Sequence, residues 1–341
     1  LSQREDVIII DMNKLKEEGK IKTVSIDSFE QNNLVLVDEA HRGLAGDVWY
    51  DYRSRLSADG GFAFEYSATF KQAMKTLKPT KDKDLLDEYC TSIIMDYSYK
   101  YFYEDGYGKE YRIYNLKDGI DEEQRHLYLT GCLLSFYQQL KLFESYPKEF
   151  APFEIEKPLL VFVGNRVTAK TSNAEMTDVE EVIEFIDKFV NRKAKTIERL
   201  NAVLNEDTGL MDGRGAELFS QDFNALKSIF GGSPKAEDIY TDILRLVFNS
   251  DTSSEEPRLH IENIRQVPGE IGLKIGEYGD YFGVISIGDT AGLVKNCDKK
   301  GIVAKTEEFV SESLFRNINN STSNIKVLVG SRKFTEGWNS W

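Results

Sequence analysis

An α/β fold with mainly parallel sheets is predicted by two patterns in this sequence. The first is a series of short, near-continuous apolar runs. They are VIII at 7–10, TVSI at 23–26, LVLV at 34–37, FAFEYSAT at 62–69, LLVFV at 159–163 and IKVLVG at 325–330. Strands covered on both faces of a sheet read in this way. The second is a set of helical patterns lying among them, and alternation of the two element types is the mark of α/β architecture.

The helices follow from apolar spacing. In TDVEEVIEFIDKFV (177–190), Val179, Val182, Ile183, Ile186, Phe189 and Val190 share one face, and Thr177 with Glu180 forms a capping box at the start. Residues 121–146 predict a long helix, with Leu127, Leu133, Leu134, Tyr137, Leu140 and Phe143 at helical spacing. TEEFVSESLFRNI (306–318) predicts a third, and IYTDILRLVF (239–248) a fourth. Two segments break the alternation. Residues 92–116 read as a hairpin about Asp105-Gly106, and residues 272–289 as a hairpin turning near Gly279-Asp280. Residues 193–256 are polar, with GRG, GGS and SDTSSEE, and predict loops around the one helix. The Pro- and Glu-bearing stretch at 146–158 is the expected interdomain linker.

With 341 residues and 41% hydrophobic content, the chain has room for two packed domains. It has no apolar run long enough to cross a bilayer, and its first residues lack the layout of a signal peptide. Cys90, Cys132 and Cys297 are odd in number and far apart, which fits a reducing, cytoplasmic setting with plain thiols. Three histidines exclude a histidine-rich metal centre. The net charge of −14 weighs against a polyanionic partner, although a local basic lane can face phosphates on an otherwise acidic surface.

Chemistry is concentrated after the LVLV run, which leads directly into Asp38-Glu39-Ala40-His41. Acidic residues at the carboxyl end of a buried parallel strand lie where α/β sheets bind ligands. Two in succession suit nucleotide hydrolysis, with Asp38 holding Mg²⁺ through water and Glu39 orienting and deprotonating the attacking water. The pair alone would also suit a strand ending in a solvated turn. About thirty residues on, EYSATF (65–70) ends the next expected strand. Its Ser67 and Thr69 hydroxyls can bond His41 or Glu39 and report nucleotide state elsewhere.

DEAHRG followed by SATF resembles motifs II and III of superfamily 2 helicases and translocases. The variant is similar to the motor subunit of type III restriction enzymes and related restriction-type helicases. IKVLVGSRKFTEGWNSW (325–341) resembles motif V of that family, and LLVFVGNRVTAK (159–170) resembles its motif IV more loosely. The resemblance implies two RecA-like domains with hairpin insertions. Residues 1–80 would be the end of the first motor domain. Residues 81–156 would hold a hairpin, the long helix and the linker. Residues 157–341 would be the second motor domain, with an insertion around 193–300. It also implies ATP and Mg²⁺ as cofactors, DNA as track and a methyltransferase or specificity subunit as companion. Asp38 would contact Mg²⁺ and Glu39 would be the base. His41, Ser67 and Thr69 would couple the nucleotide site to DNA. Ser331, Asn165 and Arg166 would approach the nucleic-acid backbone, and Gly337 and Asn339 the ATP ribose and domain interface.

The family's phosphate loop, G-x-x-x-x-G-K-[ST], is missing ahead of Asp38, and motif VI is missing after Trp341. The expectation is therefore a motor fragment that is inactive alone, with any DNA-cleaving domain outside it. GNRVTAKT (164–171) imitates the loop but carries Ala169 where the second glycine lets the backbone curl around phosphate, and it trails the Asp-Glu pair. Tyr97, Tyr99, Tyr101 and Tyr103 alternate at 96–103. A strand bearing them could stack on unpaired bases, but the favoured reading is an amphipathic strand packed on the motor, since tyrosine commonly fills half-buried sheets. Two rivals stand beside the ATP-driven motor. One is a non-catalytic, motor-like module binding nucleic acid or protein. The other, for which no further ligands stand out, is a metal-dependent hydrolase built on Asp38, Glu39 and His41.

Overall fold

The computed structural model describes residues 7–15, 24–43, 47–75, 77–78, 81–116, 119–164, 177–250 and 257–331. Its contacts divide the chain into two compact units, 1–112 and 113–341. The protein is mixed α/β, with a two-stranded parallel sheet in the first unit and a six-stranded, mostly parallel sheet in the second.

In the first unit, β1 (Leu34–Val37) leads through a turn and a short 3-10 helix (Ala40–Gly43) toward α1 (Asp47–Leu56). Then come β2 (Phe62–Glu65), α2 (Phe70–Met74), α3 (Lys83–Ser92) and α4 (Tyr99–Glu104). β1 and β2 pair in parallel, Leu34 opposite Phe62 and Val37 opposite Glu65. Among the described residues, only one face of this ribbon is covered. Val35 packs toward Leu15, Ile26 and Leu56, with Trp49 and Tyr52 of α1 beside them. Leu34, Leu36 and Phe62 point to the other side and are exposed. Among the described residues, the LVLV run thus lacks the second covered face that its apolar continuity predicts.

Several expectations fail here for identifiable reasons. VIII and TVSI do not form strands. Residues 7–11 have no regular structure, and Ile26–Ser28 is a single 3-10 turn started by the Ser25 hydroxyl, which accepts the Asp27 N–H at 3.3 Å. A strand exists only where a partner completes its ladder, and among the described residues none lies beside these runs. The strand at 62–69 stops at Glu65. The hairpin at 92–116 is not formed either. α4 occupies its centre, and the Tyr107 N–H closes back on the Phe102 carbonyl at 3.1 Å across Gly106, whose φ is 84°. Asp-Gly supplies the left-handed residue for a helix end as readily as for a hairpin turn. The tyrosines consequently do not alternate across a strand. Tyr99 contacts Phe102, Tyr103 and Tyr111, and Phe102 contacts Tyr97 and Tyr107, so these rings pack chiefly on one another.

The second unit opens with α5 (Glu122–Ser145), the long helix expected at 121–146. Asp121 and Gln124 form a capping box, satisfying two otherwise orphaned N–H groups. Leu133, Leu134, Tyr137 and Leu140 are buried, and the Tyr137 hydroxyl donates to Asp242 at 2.6 Å. Residues 146–158, the expected linker, lie inside this unit and include α6 (Pro147–Phe150). β3 (Leu160–Gly164) is followed by α7 (Asp178–Asn191), whose Thr177–Glu180 capping box forms as predicted. α8 (Lys193–Leu204), α9 (Asn224–Ile229) and α10 (Ala236–Leu246) follow, giving 193–256 more helix than its polar composition predicts.

β4 (Leu259–Ile264), β5 (Glu270–Ile275), β6 (Tyr281–Ser286), α11 (Thr290–Lys299), β7 (Val303–Glu307) and β8 (Val327–Ser331) complete the unit. The strand order is β3-β8-β6-β5-β4-β7, and β5 alone runs against the other five. The β5–β6 hairpin matches the expectation for 272–289. Its strands lie in the middle of the sheet, so residues 193–300, read as an insertion, provide sheet core. One face carries Leu259, Ile261, Leu273, Phe282 and Val329 into a continuous core with α5, α7, α8 and α10. The other carries Val161, Val284 and Leu328 against Leu314, Phe315 and Ile318.

That second contact explains why no helix forms at 306–318. Residues 303–307 are β7, and the chain beyond follows Glu270, a buried carboxylate on β5. Glu270 accepts the Leu314 N–H at 2.9 Å, the Phe315 N–H at 3.3 Å and the Ser313 hydroxyl. These bonds hold 313–315 in turns and press Leu314 and Phe315 onto the sheet.

Candidate nucleotide-type site at the ends of two parallel strands

The Asp38–His41 and Ser67–Thr69 segments leave adjacent parallel strands in the same direction, which brings them together. Two backbone bonds extend the pairing past the ladder. The Tyr66 N–H donates to the Val37 carbonyl at 2.8 Å, and the Ala40 N–H donates to the Tyr66 carbonyl at 3.1 Å. Ala40 is buried by this closure, while Asp38 and Glu39 stay exposed.

Between the carboxylates the chain turns sharply. Glu39 adopts a left-handed conformation, with φ of 49°, and its N–H donates to Asp38 Oδ1 at 2.9 Å. A residue other than glycine costs about 1–3 kcal/mol in this region, so the surrounding bonds must hold it there. The turn sends the Glu39 side chain back toward His41. His41 Nδ1 lies 3.1 Å from Glu39 Oε2 and 2.8 Å from Ser67 Oγ.

One imidazole nitrogen therefore faces two partners. With a proton on Nδ1, His41 donates toward the Glu39 carboxylate and the Ser67 oxygen. Without it, Nδ1 accepts the Ser67 hydroxyl proton and its attraction to Glu39 is lost. Ser67 Oγ also accepts the Thr69 N–H at 3.0 Å, which fixes its position. Thr69 thus enters through its backbone.

A cluster that sequence reasoning missed braces this site. Arg53 on α1 donates to Glu65, the last residue of β2, at 2.9 Å, to the Tyr89 hydroxyl at 3.0 Å and to Glu88 at 2.7 Å. Its guanidinium also stands 4.9 Å from the Tyr50 ring centre. Burial opposes the Arg53 charge, but the bonds to Glu65 and Glu88 outweigh it and strengthen protonation. Burial, followed by the bond to Glu65, pushes the Tyr89 phenol up. The cluster ties α1 and α3 to the strand end immediately before Tyr66 and Ser67. Arg53 and Glu88 are far apart in sequence, so no local spacing announces the pairing.

The remaining expected site residues fall elsewhere. Ser331 ends β8 beside Gly164 of β3, and its side chain lies outside the described residues. Asn165, Arg166, Gly337, Asn339 and the loop imitation at 165–171 also lie outside them. Among the described residues, no three His, Cys, Asp or Glu side chains converge to hold a metal, and no helix is long and apolar enough to cross a membrane.

Compared with known proteins, the chain matches no family model, no curated protein and no solved structure.

Proposed function

We propose that the chain belongs to an ATP-driven DNA translocase or helicase motor of the restriction type, built on two RecA-like domains. The observation that carries this reading is the contact of His41 with both Glu39 and Ser67, at the carboxyl ends of two parallel strands. A hydrolytic base linked by one imidazole to a serine on the next strand is an economical way to connect nucleotide state to a second ligand. The runs carrying the motif IV and V resemblances also pair directly, as β3 and β8. Asp38 suits Mg²⁺ held through water, because it is exposed and uses one oxygen for the Glu39 N–H. Mg²⁺ would supply charge neutralisation at the phosphates. Glu39 would orient and deprotonate water, and His41 would pass its state to Ser67. DNA would be the track, and a methyltransferase or specificity subunit a companion.

The net charge of −14 favours the second reading, a motor-like module that binds without hydrolysis. ATP turnover by the full-length protein, with and without duplex DNA, separates the two. Turnover that Glu39→Gln abolishes supports the motor. Turnover that survives Glu39→Gln, or none in a folded full-length protein with DNA, overturns it.

A further inference from the structure

At the amino-terminal edge of the six-stranded sheet, Lys157 and Lys326 both reach the Ser323–Asn324 segment, Lys157 directly and Lys326 through Asn249, and among the described residues neither forms an ion pair with a carboxylate. Lys157 lies just before β3, and its Nζ donates to the Ser323 carbonyl at 2.6 Å. Lys326 immediately precedes β8 and is locked there by its backbone. Its N–H donates to the Phe282 carbonyl at 2.7 Å, and its carbonyl accepts the Leu160 N–H at 2.9 Å. Its Nζ donates to Asn249 Oδ1. The Asn249 amide is itself fixed, since Nδ2 donates to the Tyr281 and Asn324 carbonyls, each at 3.0 Å. Among the described residues, neither amine comes within ion-pair distance of an Asp or Glu. Glu144 and Asp280 both favour the Lys326 charge from farther away, and Glu144 is already bonded by Arg245 and Lys141.

Half-buried cations side by side normally acquire a counterion, because burial and mutual repulsion both disfavour their charge. Both effects operate here. Burial, then the charge of Lys157, pulls Lys326 down to about 8, and burial lowers Lys157. An ammonium group has three donors, and each lysine gives one to a neutral oxygen of the protein. An oxyanion placed between them would take the others and relieve the repulsion.

We propose that Lys157 and Lys326 form a phosphate-binding subsite, in which Asn249 aims the Lys326 amine. It lies at the opposite end of β3 and β8 from Gly164 and Ser331, and does not depend on the hydrolytic reading. The ligand is a phosphate group, carried either by a small phosphorylated molecule or by a nucleic-acid backbone.

The test is calorimetric titration of the full chain with inorganic pyrophosphate, alongside Lys157→Met, Lys326→Met and the exposed control Lys299→Met. Each site variant should weaken binding by about tenfold or more, the weight of a charged hydrogen bond, while the control binds as wild type. In wild type, NMR of the lysine side chains should show the Lys326 midpoint rising from about 8 when pyrophosphate is added. That measurement stands even where a variant fails to fold. Competition by a single-stranded oligonucleotide would identify the backbone as source, and its absence a small phosphate. No binding at millimolar pyrophosphate, equal binding by the folded site variants, or an unmoved Lys326 midpoint would overturn the subsite.

Discussion

His41 Nδ1 lies 2.8 Å from Ser67 Oγ, joining the turn after one strand to the turn after its parallel neighbour. On the motor reading, this contact transmits and Glu39 catalyses. Glu39→Gln should therefore lower ATP turnover of the full-length protein by roughly 10²–10⁴-fold, the usual weight of a general base. Ser67→Ala should leave basal turnover within a few-fold but flatten its stimulation by DNA. Steady-state hydrolysis with and without duplex distinguishes the outcomes, and equal loss in both variants would refute separate roles.

The acidic surface sets a limit on DNA binding. With a net charge of −14, the affinity of this chain for duplex DNA should be weak and fall steeply with added salt, since counterion release supplies most of it. Fluorescence anisotropy across a salt series measures both. Nanomolar affinity at physiological salt would contradict the expectation.

On β4, Glu262 is buried and accepts Lys274 at 2.9 Å and the Tyr281 hydroxyl at 2.5 Å. Removing only Lys274 leaves an uncompensated carboxylate on the sheet. Lys274→Met should cost about 3–5 kcal/mol, while Lys274→Met with Glu262→Leu should recover much of the loss. Urea unfolding of wild type, Lys274→Met, Glu262→Leu and the double variant gives the coupling, and additive losses would show that the pair is not the cause.

Acid should destabilise the second unit in two stages. Burial, with Arg199 and Lys188 nearby, holds His126 below its ordinary value of 6.5, against the weaker pull of Glu122 and Glu123. The unfolded chain then binds the proton more readily, so this stability is present above 6.5 and is lost as pH falls below it. Glu123, bonded by Arg199 at 2.8 and 2.9 Å, is held down to about 2. Its contribution is present above 4.5, the ordinary value, and disappears as pH falls toward about 2. In thermal melts across pH, His126→Phe should remove the first stage and leave the second. An unchanged first stage would assign it to another group.

Where one local pattern suffices to specify an element, the sequence already contained it. A capping box depends on only four residues, and the predicted Thr177–Glu180 box and the helix following it form as read. The β5–β6 hairpin is similarly local. The apolar runs at 34–37, 62–65, 160–164 and 327–331 became strands because each found a parallel neighbour. From sequence, the juxtaposition of Asp38, Glu39 and His41 with Ser67 followed from two such strand ends.

Other outcomes depended on partners remote in sequence. VIII had the composition of a strand but, among the described residues, no ladder to join. Asp105-Gly106 could close either a hairpin or a helix, and the packing of Tyr99 and Phe102 with neighbouring rings accompanies the helix. Residues 313–315 gave up helical bonds for a buried carboxylate on β5, more than forty residues away. Arg53 reached Glu65 and Glu88, and Lys326 came to rest beside Asn249, for the same reason. Composition and spacing record what a residue offers, and only the folded chain decides which distant group accepts it.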